Sequence, residues 1–339
     1  MDNESGRQVI RFIEQFTSIV YEAMPFIVLG AVIAGILEEF VPQSFVARII
    51  PRGSIWAILA GALLGLPFPM CECGIIPIMR RLIRKGVPLS ACTAYLLAGP
   101  IINVVVMGST FVAFLGHETN STSNVIQMGS WGMTAMRMSL GYLVAVGTSC
   151  VVEWQYRRYG NKLLTPLAMP PAIPAKGDEE DEADGPAIGA KKGWMQRLGN
   201  VSETALHDFV DIMVFLIIGA FISALAGLLL SHDQIASFGH GYPILAILSM
   251  MVMAVLLCLC SEADAFVAAS YTKLGPSAKL AFLTLGPMLD LKLYFMYTRV
   301  FRPRLIWTIF TASAVQVFLY SVAFHYLWQH YAPMLETTK

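Results

Sequence analysis

Charged side chains are scarce in this 339-residue chain, at 14% of residues against 56% hydrophobic. Ordinary soluble domains carry roughly 25% charge, so the composition excludes a pair of cytosolic domains. The formal net charge is zero, 23 Lys and Arg against 23 Asp and Glu, and no global basicity points to nucleic acid. Cysteine is sparse as well. Of the six, none belongs to a C-x-x-C pair or a small disulfide framework. No Gly-x-x-x-x-Gly-Lys loop is present, so energy from ATP would need another subunit. A secretory leader is not expected, because Met1–Arg11 is polar and no small-residue cleavage site follows the first apolar run. Nothing implies a cofactor.

What is present is a series of apolar blocks of about 20 residues, the length that crosses ~30 Å of hydrocarbon. Eight such blocks fall at roughly 16–39, 55–79, 89–115, 131–153, 208–230, 243–269, 278–298 and 305–328. The expected fold is all-α: a polytopic membrane protein of about eight transmembrane helices in two pseudo-symmetric halves, 1–155 and 203–339. Between them, 156–202 is rich in proline, glycine and charge, including Met169-Pro-Pro-Ala-Ile-Pro174 and Asp178-Glu-Glu-Asp-Glu182, and reads as a flexible linker. Lys and Arg bias places this linker, the loop bearing Arg80, Arg81, Arg84 and Lys85, and both termini in the cytoplasm of an inner-membrane protein. Arg299, Arg302 and Arg304 disagree, because eight crossings would put them outside.

The halves repeat one another. Ala98-Gly-Pro-Ile-Ile-Asn103 reads like Leu285-Gly-Pro-Met-Leu-Asp290, and the spacing between these two motifs equals that between Cys73 and Cys260. Met24-Pro-Phe-Ile-Val-Leu-Gly30 likewise reads like Met213-Val-Phe-Leu-Ile-Ile-Gly219, with Glu22 matching Asp211. Four crossings per half predict a parallel repeat, whereas an odd number would make it inverted. Repeat transporters place their site at the interface between halves, on interrupted helices.

The residues with chemistry in them lie at such interruptions. Cys71 and Cys73 sit in Pro67-Phe-Pro-Met-Cys-Glu-Cys-Gly74, inside an apolar span. Residues two apart diverge on a helix, since each step turns about 100°, so two thiols that share a ligand require the helix to open. Pro67, Pro69, Gly74 and Pro77 supply the expected break, and thiolates select soft ligands, making Cys71 and Cys73 the candidate metal ligands. Cys258 and Cys260 in Leu256-Leu-Cys-Leu-Cys-Ser-Glu262 are the corresponding pair, although no proline flanks them. Glu262 and Asp264 are costly carboxylates in an apolar span and are candidate proton carriers. Glu72, between the first thiols, reads as support or proton acceptor. Asn103 and Asp290 follow Pro100 and Pro287, which free backbone carbonyls, and are candidate polar contributors to a substrate pocket. Lys292 pairs with Asp290 or snorkels. His207, Asp208 and Asp211 read as a hydrated helix start, and Cys92 and Cys150 as inert interior residues.

Three motifs together, Pro69-Met-Cys-Glu-Cys-Gly74 with Pro77, Leu97-Ala-Gly-Pro-Ile-Ile-Asn103 and Ser261-Glu-Ala-Asp-Ala-Phe266, resemble the predicted permease family that includes the ArsP organoarsenical efflux permeases. The resemblance covers both membrane halves and omits the linker. It implies about eight membrane helices, export of trivalent arsenicals and membrane cysteines as binding candidates, which here are Cys71 and Cys73 and, less directly, Cys258 and Cys260. The expected function is therefore an exporter of a small thiophilic solute or ion, surrounded by membrane lipid and of open oligomeric state. The alternative is an intramembrane thiol oxidoreductase using the same C-x-C pairs.

Overall fold

Four long apolar runs become long helices, the first continuing through Pro25, while runs interrupted by Gly-Pro or C-x-C divide in two. The computed structural model describes residues 2–40, 54–66, 70–115, 128–166, 168, 194–229, 242–271 and 274–336. These form, in chain order, α1 (Asp2–Phe40), α2 (Ser54–Leu63), α3 (Glu72–Arg84), α4 (Leu89–Ala98), α5 (Val104–Ala113) and α6 (Ser130–Tyr159) in the first half. The second half holds α7 (Trp194–Leu229), α8 (Pro243–Leu257), α9 (Ala263–Ser270), α10 (Pro276–Leu285), α11 (Leu291–Tyr297) and α12 (Pro303–Glu336). Helices α1, α6, α7 and α12 are each long and apolar enough to cross a membrane. The other eight are at most 15 residues long, about 22 Å at 1.5 Å per residue, too short to cross singly.

Side-chain contacts fix the direction of each helix. Phe12 meets Phe221 at 5.4 Å between ring centroids while Phe40 meets Trp194 at 6.0 Å, so α1 and α7 run antiparallel. Thr148 meets Ser313 at 3.2 Å and Tyr159 accepts from Arg304 at 2.6 Å, so α6 and α12 are antiparallel too. Each of these pairs joins equivalent helices of the two halves. Helices matched by the sequence repeat therefore run antiparallel, the sense expected of an odd number of crossings per half rather than four.

The reason lies in the interrupted pairs. Helices α4 and α5 continue in one direction along α6, with Thr93 beside Ser149, Arg137 bonded to Thr110, and Phe111 against Trp131. Helices α10 and α11 likewise run along α12, with Ser277 against His325 and Tyr294 against Trp307. By contrast, α2 runs parallel to α4: a side chain at Gly61 would strike the backbone of Ala91, and one at Gly65 that of Gly99 and Ile102. Helix α3 leads into α4 through the short turn at 85–88, so α2 and α3 form a hairpin. Helices α8 and α9 fold back similarly, bringing Tyr271 Oη to 3.8 Å from Met253 Sδ.

Two further expectations change with this packing. Arg299 pairs with Asp211, which also takes Arg80 at 3.4 Å. Lys85 donates to the Glu38 carbonyl near the end of α1, so the Arg80 and Arg299 loops lie together towards that end of the bundle, while Asp211 itself is midway along α7. Conversely, the start of α1 and the end of α12 lie at the other end, away from the linker, contrary to the expectation of all three on one side. Helix α7 begins at Trp194, so residues 194–202, read as linker, are helical. Residues 169–193, including the acidic run, lie outside the described residues.

Asp208, read as hydrated, is 1% exposed. It takes Arg81 through two hydrogen bonds of 3.0 and 3.2 Å and Arg80 at 3.2 Å, pinning α3 to α7. Charge-assisted bonds of this kind are stronger than neutral ones.

Candidate functional site

The hairpin of the first half places Cys71 and Cys73 at its tip. Cys71 is the N-cap of α3, in extended conformation with φ −72° and ψ 166°, and its carbonyl accepts from Gly74 and Ile75. Its side chain makes no capping hydrogen bond, and Cys73 is already helical, so only the first of the two thiols stands on extended backbone. Both are buried, at 1% and 0% exposure.

Gly74 and Pro77 lie inside α3 and do not break it. Gly74 instead allows close approach: a side chain at Gly30 of α1 would collide with the Gly74 backbone, and one at Gly74 would lie 2.8 Å from the Phe26 carbonyl. Pro67 and Pro69 lie outside the described residues. Pro100 and Pro287 do stand at breaks, in the turns between α4 and α5 and between α10 and α11.

The second C-x-C pair occupies the tip of the other hairpin. Cys258 is the C-cap of α8 at φ 49° and ψ 39°, the one non-glycine residue with positive φ among those described. Left-handed backbone is uncommon for such a residue and clusters at functional sites. It turns the chain so that Cys258 and Cys260 diverge. The Cys258 thiol donates to the Val255 carbonyl at 3.3 Å, whereas Cys260 lies within electrostatic range of Cys71, Glu22 and Glu72. Glu22, Cys260 and Glu262 each offer a ligand atom within 4.8 Å of one another. Asp264 is buried, with Oδ2 unpartnered among the described residues, and lies against Gly286.

Lys292 joins the two halves. Its ammonium, 1% exposed, stands 2.8 Å from Glu72 Oε1 and 3.3 Å from Asp290 Oδ2, and donates to the Cys258 carbonyl at 3.2 Å. Lys292 thus neither snorkels nor pairs with Asp290 alone. Glu72 is fully buried, and its Oε2 has no hydrogen-bond partner among the described residues. Asn103 and Asp290 cap α5 and α11, accepting from Val106 N at 2.8 Å and Leu293 N at 2.6 Å. Their equivalence in the repeat is an equivalence of caps, and Asp290 alone of the two contacts the Lys292 cluster.

Arg137 was missed as a site residue. It is 1% exposed on α6 and binds Thr110 Oγ1 at 2.7 Å and the Ser261 carbonyl at 2.8 Å, fastening the second hairpin tip to the first half. The role of Glu22 was missed as well. Both are charges inside apolar spans, and that cost alone marks them out. Cys92 is buried with no part in the cluster, and Cys150 is exposed.

Four helices long and apolar enough to cross a membrane, with buried thiols, carboxylates and a lysine between them, are the features of a membrane protein. The family model described as "Predicted permease" matches residues 8–326, and the chain belongs to this ArsP-type predicted permease family. Among its relatives, the "UPF0718 protein YcgR" of Bacillus subtilis (strain 168) is 35% identical over 303 residues, 89% of this chain and 92% of that protein. The "Putative two-component membrane permease complex subunit" of Streptococcus mutans serotype c (strain ATCC 700610 / UA159) is 30% identical over 319 residues, 94% and 96% of the two chains. No solved structure matches.

Proposed function

We propose that this permease exports a thiophilic solute, a trivalent arsenical or a soft metal ion, by alternating access. Cys71 and Cys73 are the primary ligands, and Cys260 approaches from the second half. The observation behind the reading is that Cys71 and Cys73 are buried at the start of an interrupted segment, with Cys260 of the second interrupted segment buried within electrostatic range of Cys71. Thiolates favour soft ligands over the hard cations that oxygen sites take. Glu262 and Asp264 carry protons inward as cargo leaves, and Asn103 and Asp290 hold the neighbouring breaks in place as caps.

The accompanying topology is six crossings, with α4–α5 and α10–α11 as interrupted ones, and two re-entrant hairpins dipping from opposite faces. Irregular backbone at membrane depth needs protein or a lined cavity to satisfy its polar groups, and facing tips provide both. By Lys and Arg bias the linker and the Arg80 and Arg299 loops are cytoplasmic in an inner membrane, with both termini outside.

The test is resistance of a sensitive host to trivalent arsenicals. Cys71→Ser or Cys73→Ser is expected to abolish it at unchanged membrane abundance. Full resistance in both variants overturns the thiol site.

A further inference from the structure

We infer that Glu22, Cys260 and Glu262 form a binding site for a divalent transition-metal cation of borderline softness, the class of Zn2+ and Cd2+. The inference rests on the permease reading above and adds a cation site beside the thiol pair, on the second interrupted segment. The first ground is geometry. The three ligand atoms lie within 4.8 Å of one another. Donors around a tetrahedral zinc stand about 3.3–3.8 Å apart, given bonds of about 2.0–2.3 Å, so closure requires a shift of about 1 Å, within rotamer reach. Cys260 is 4% exposed, and the two carboxylates are half-buried, leaving a side from which an ion enters.

The second ground is donor chemistry. Two carboxylates and one sulfur do not suit Mg2+ or Ca2+, which take oxygen shells. They also provide one thiolate where a thiol-seeking trivalent arsenical or Cu(I) is served best by several. One sulfur with two oxygens matches zinc and cadmium.

The third ground is charge. Five carboxylates, Glu22, Glu72, Glu262, Asp264 and Asp290, surround the two hairpin tips and are electrostatically coupled to one another or to their shared cations. Two cations, Lys292 and Arg137, stand among them. An excess of carboxylates in a water-poor site is tolerated when protons or a bound cation neutralise it. Independently of the cluster itself, Glu72 is 0% exposed and keeps Oε2 unpartnered among the described residues, within electrostatic range of Glu22, Cys260 and Glu262. Buried polar atoms are almost always bonded, and a cation held by the other three would offset the charge of this unpartnered carboxylate. Because Glu22 belongs to α1 and the other two donors to the second hairpin, a bound cation ties one half to the other.

Cadmium binding to the full-length protein in lipid nanodiscs tests the site, read by calorimetry and by the thiolate-to-cadmium charge-transfer absorption. Glu22→Gln, Cys260→Ser and Glu262→Gln are each expected to weaken cadmium affinity at least tenfold, with Cys260→Ser also removing the absorption band. Cys150→Ser serves as the unaffected control. Folding of each variant is checked by size-exclusion profile and thermal midpoint, and Glu22→Asp is expected to recover part of the affinity that Glu22→Gln loses. If the three variants bind cadmium like wild type while Cys71→Ser or Cys73→Ser does not, the cation sits on the first thiol pair. That result overturns this inference and leaves the permease reading standing. If wild type binds neither cadmium nor arsenite, both fall.

Discussion

Replacing Lys292 by methionine removes the one ammonium that faces Glu72 and Asp290 together. Its Nζ lies 2.8 and 3.3 Å from the two carboxylates and also donates to the Cys258 carbonyl. Lys292, Glu72 and Asp290 are all at most 1% exposed, so water cannot replace the lost charge. Breaking a buried pair by removing one partner costs about 3–5 kcal/mol, because the other partner stays buried and uncompensated. At roughly 2–4 °C per kcal/mol for chains of a few hundred residues, the thermal midpoint in detergent should fall by about 6 °C or more. Adding Glu72→Gln to Lys292→Met removes one of the stranded charges and should restore at least about 1 kcal/mol, a coupling within the range of contacting residues. The assay is thermal unfolding followed by fluorescence and size exclusion, with all four corners of the cycle measured. A Lys292→Met protein as stable as wild type, or strict additivity of the two changes, refutes the argument that this pair joins the halves.

Gly30→Val should destabilise the protein by about 1–3 kcal/mol, because its side chain would enter the Gly74 backbone, whereas Gly108→Ala, which meets nothing within 4 Å, should be near neutral in the same thermal assay. Arg81→Leu leaves the buried Asp208 carboxylate with Arg80 as its remaining counter-ion. It is expected to cost about 1.5–3 kcal/mol, and the cost should hold in high salt because buried pairs are weakly screened. In a chain lacking native thiols, Lys85→Cys and Arg302→Cys should react with an impermeant maleimide from the linker side, and Tyr242→Cys and Trp131→Cys from the other. Any pair split across the membrane rejects the six-crossing topology. Asn103→Ala removes the α5 cap and should cost about 1 kcal/mol, read as a thermal shift without loss of cadmium affinity.

Much of this organisation was legible in the residues, and the failures share a cause. Apolar length marked eight blocks, of which four contain helices long and apolar enough to cross a membrane, and the spacing of Gly-Pro and C-x-C suggested the repeat. Length could not distinguish a crossing from a hairpin, because α2 and α3 together contain as much apolar chain as one span. The informative hint was Arg299, whose position disagrees with the charge bias of eight crossings and which stands beside Asp211 and Arg80. At the site, the first thiol pair could be singled out from sequence because its requirement is local. The Glu72–Lys292 pairing and the part of Glu22 depend on contacts between distant segments, which spacing does not encode. Asn103 and Asp290 show the converse error. Their matched positions reflected a shared backbone need, the capping of a restarted helix, more than a shared ligand.

Gly30 and Gly219, equivalent positions on α1 and α7, each admit another helix to backbone distance. Gly30 receives Gly74, two residues from Glu72, and Gly219 receives Lys292 at its Cα. The two longest helices of the protein therefore clasp the opposite ends of a single ion pair, as a yoke holds two shafts. A tilt of one long helix against the other would load that pair directly.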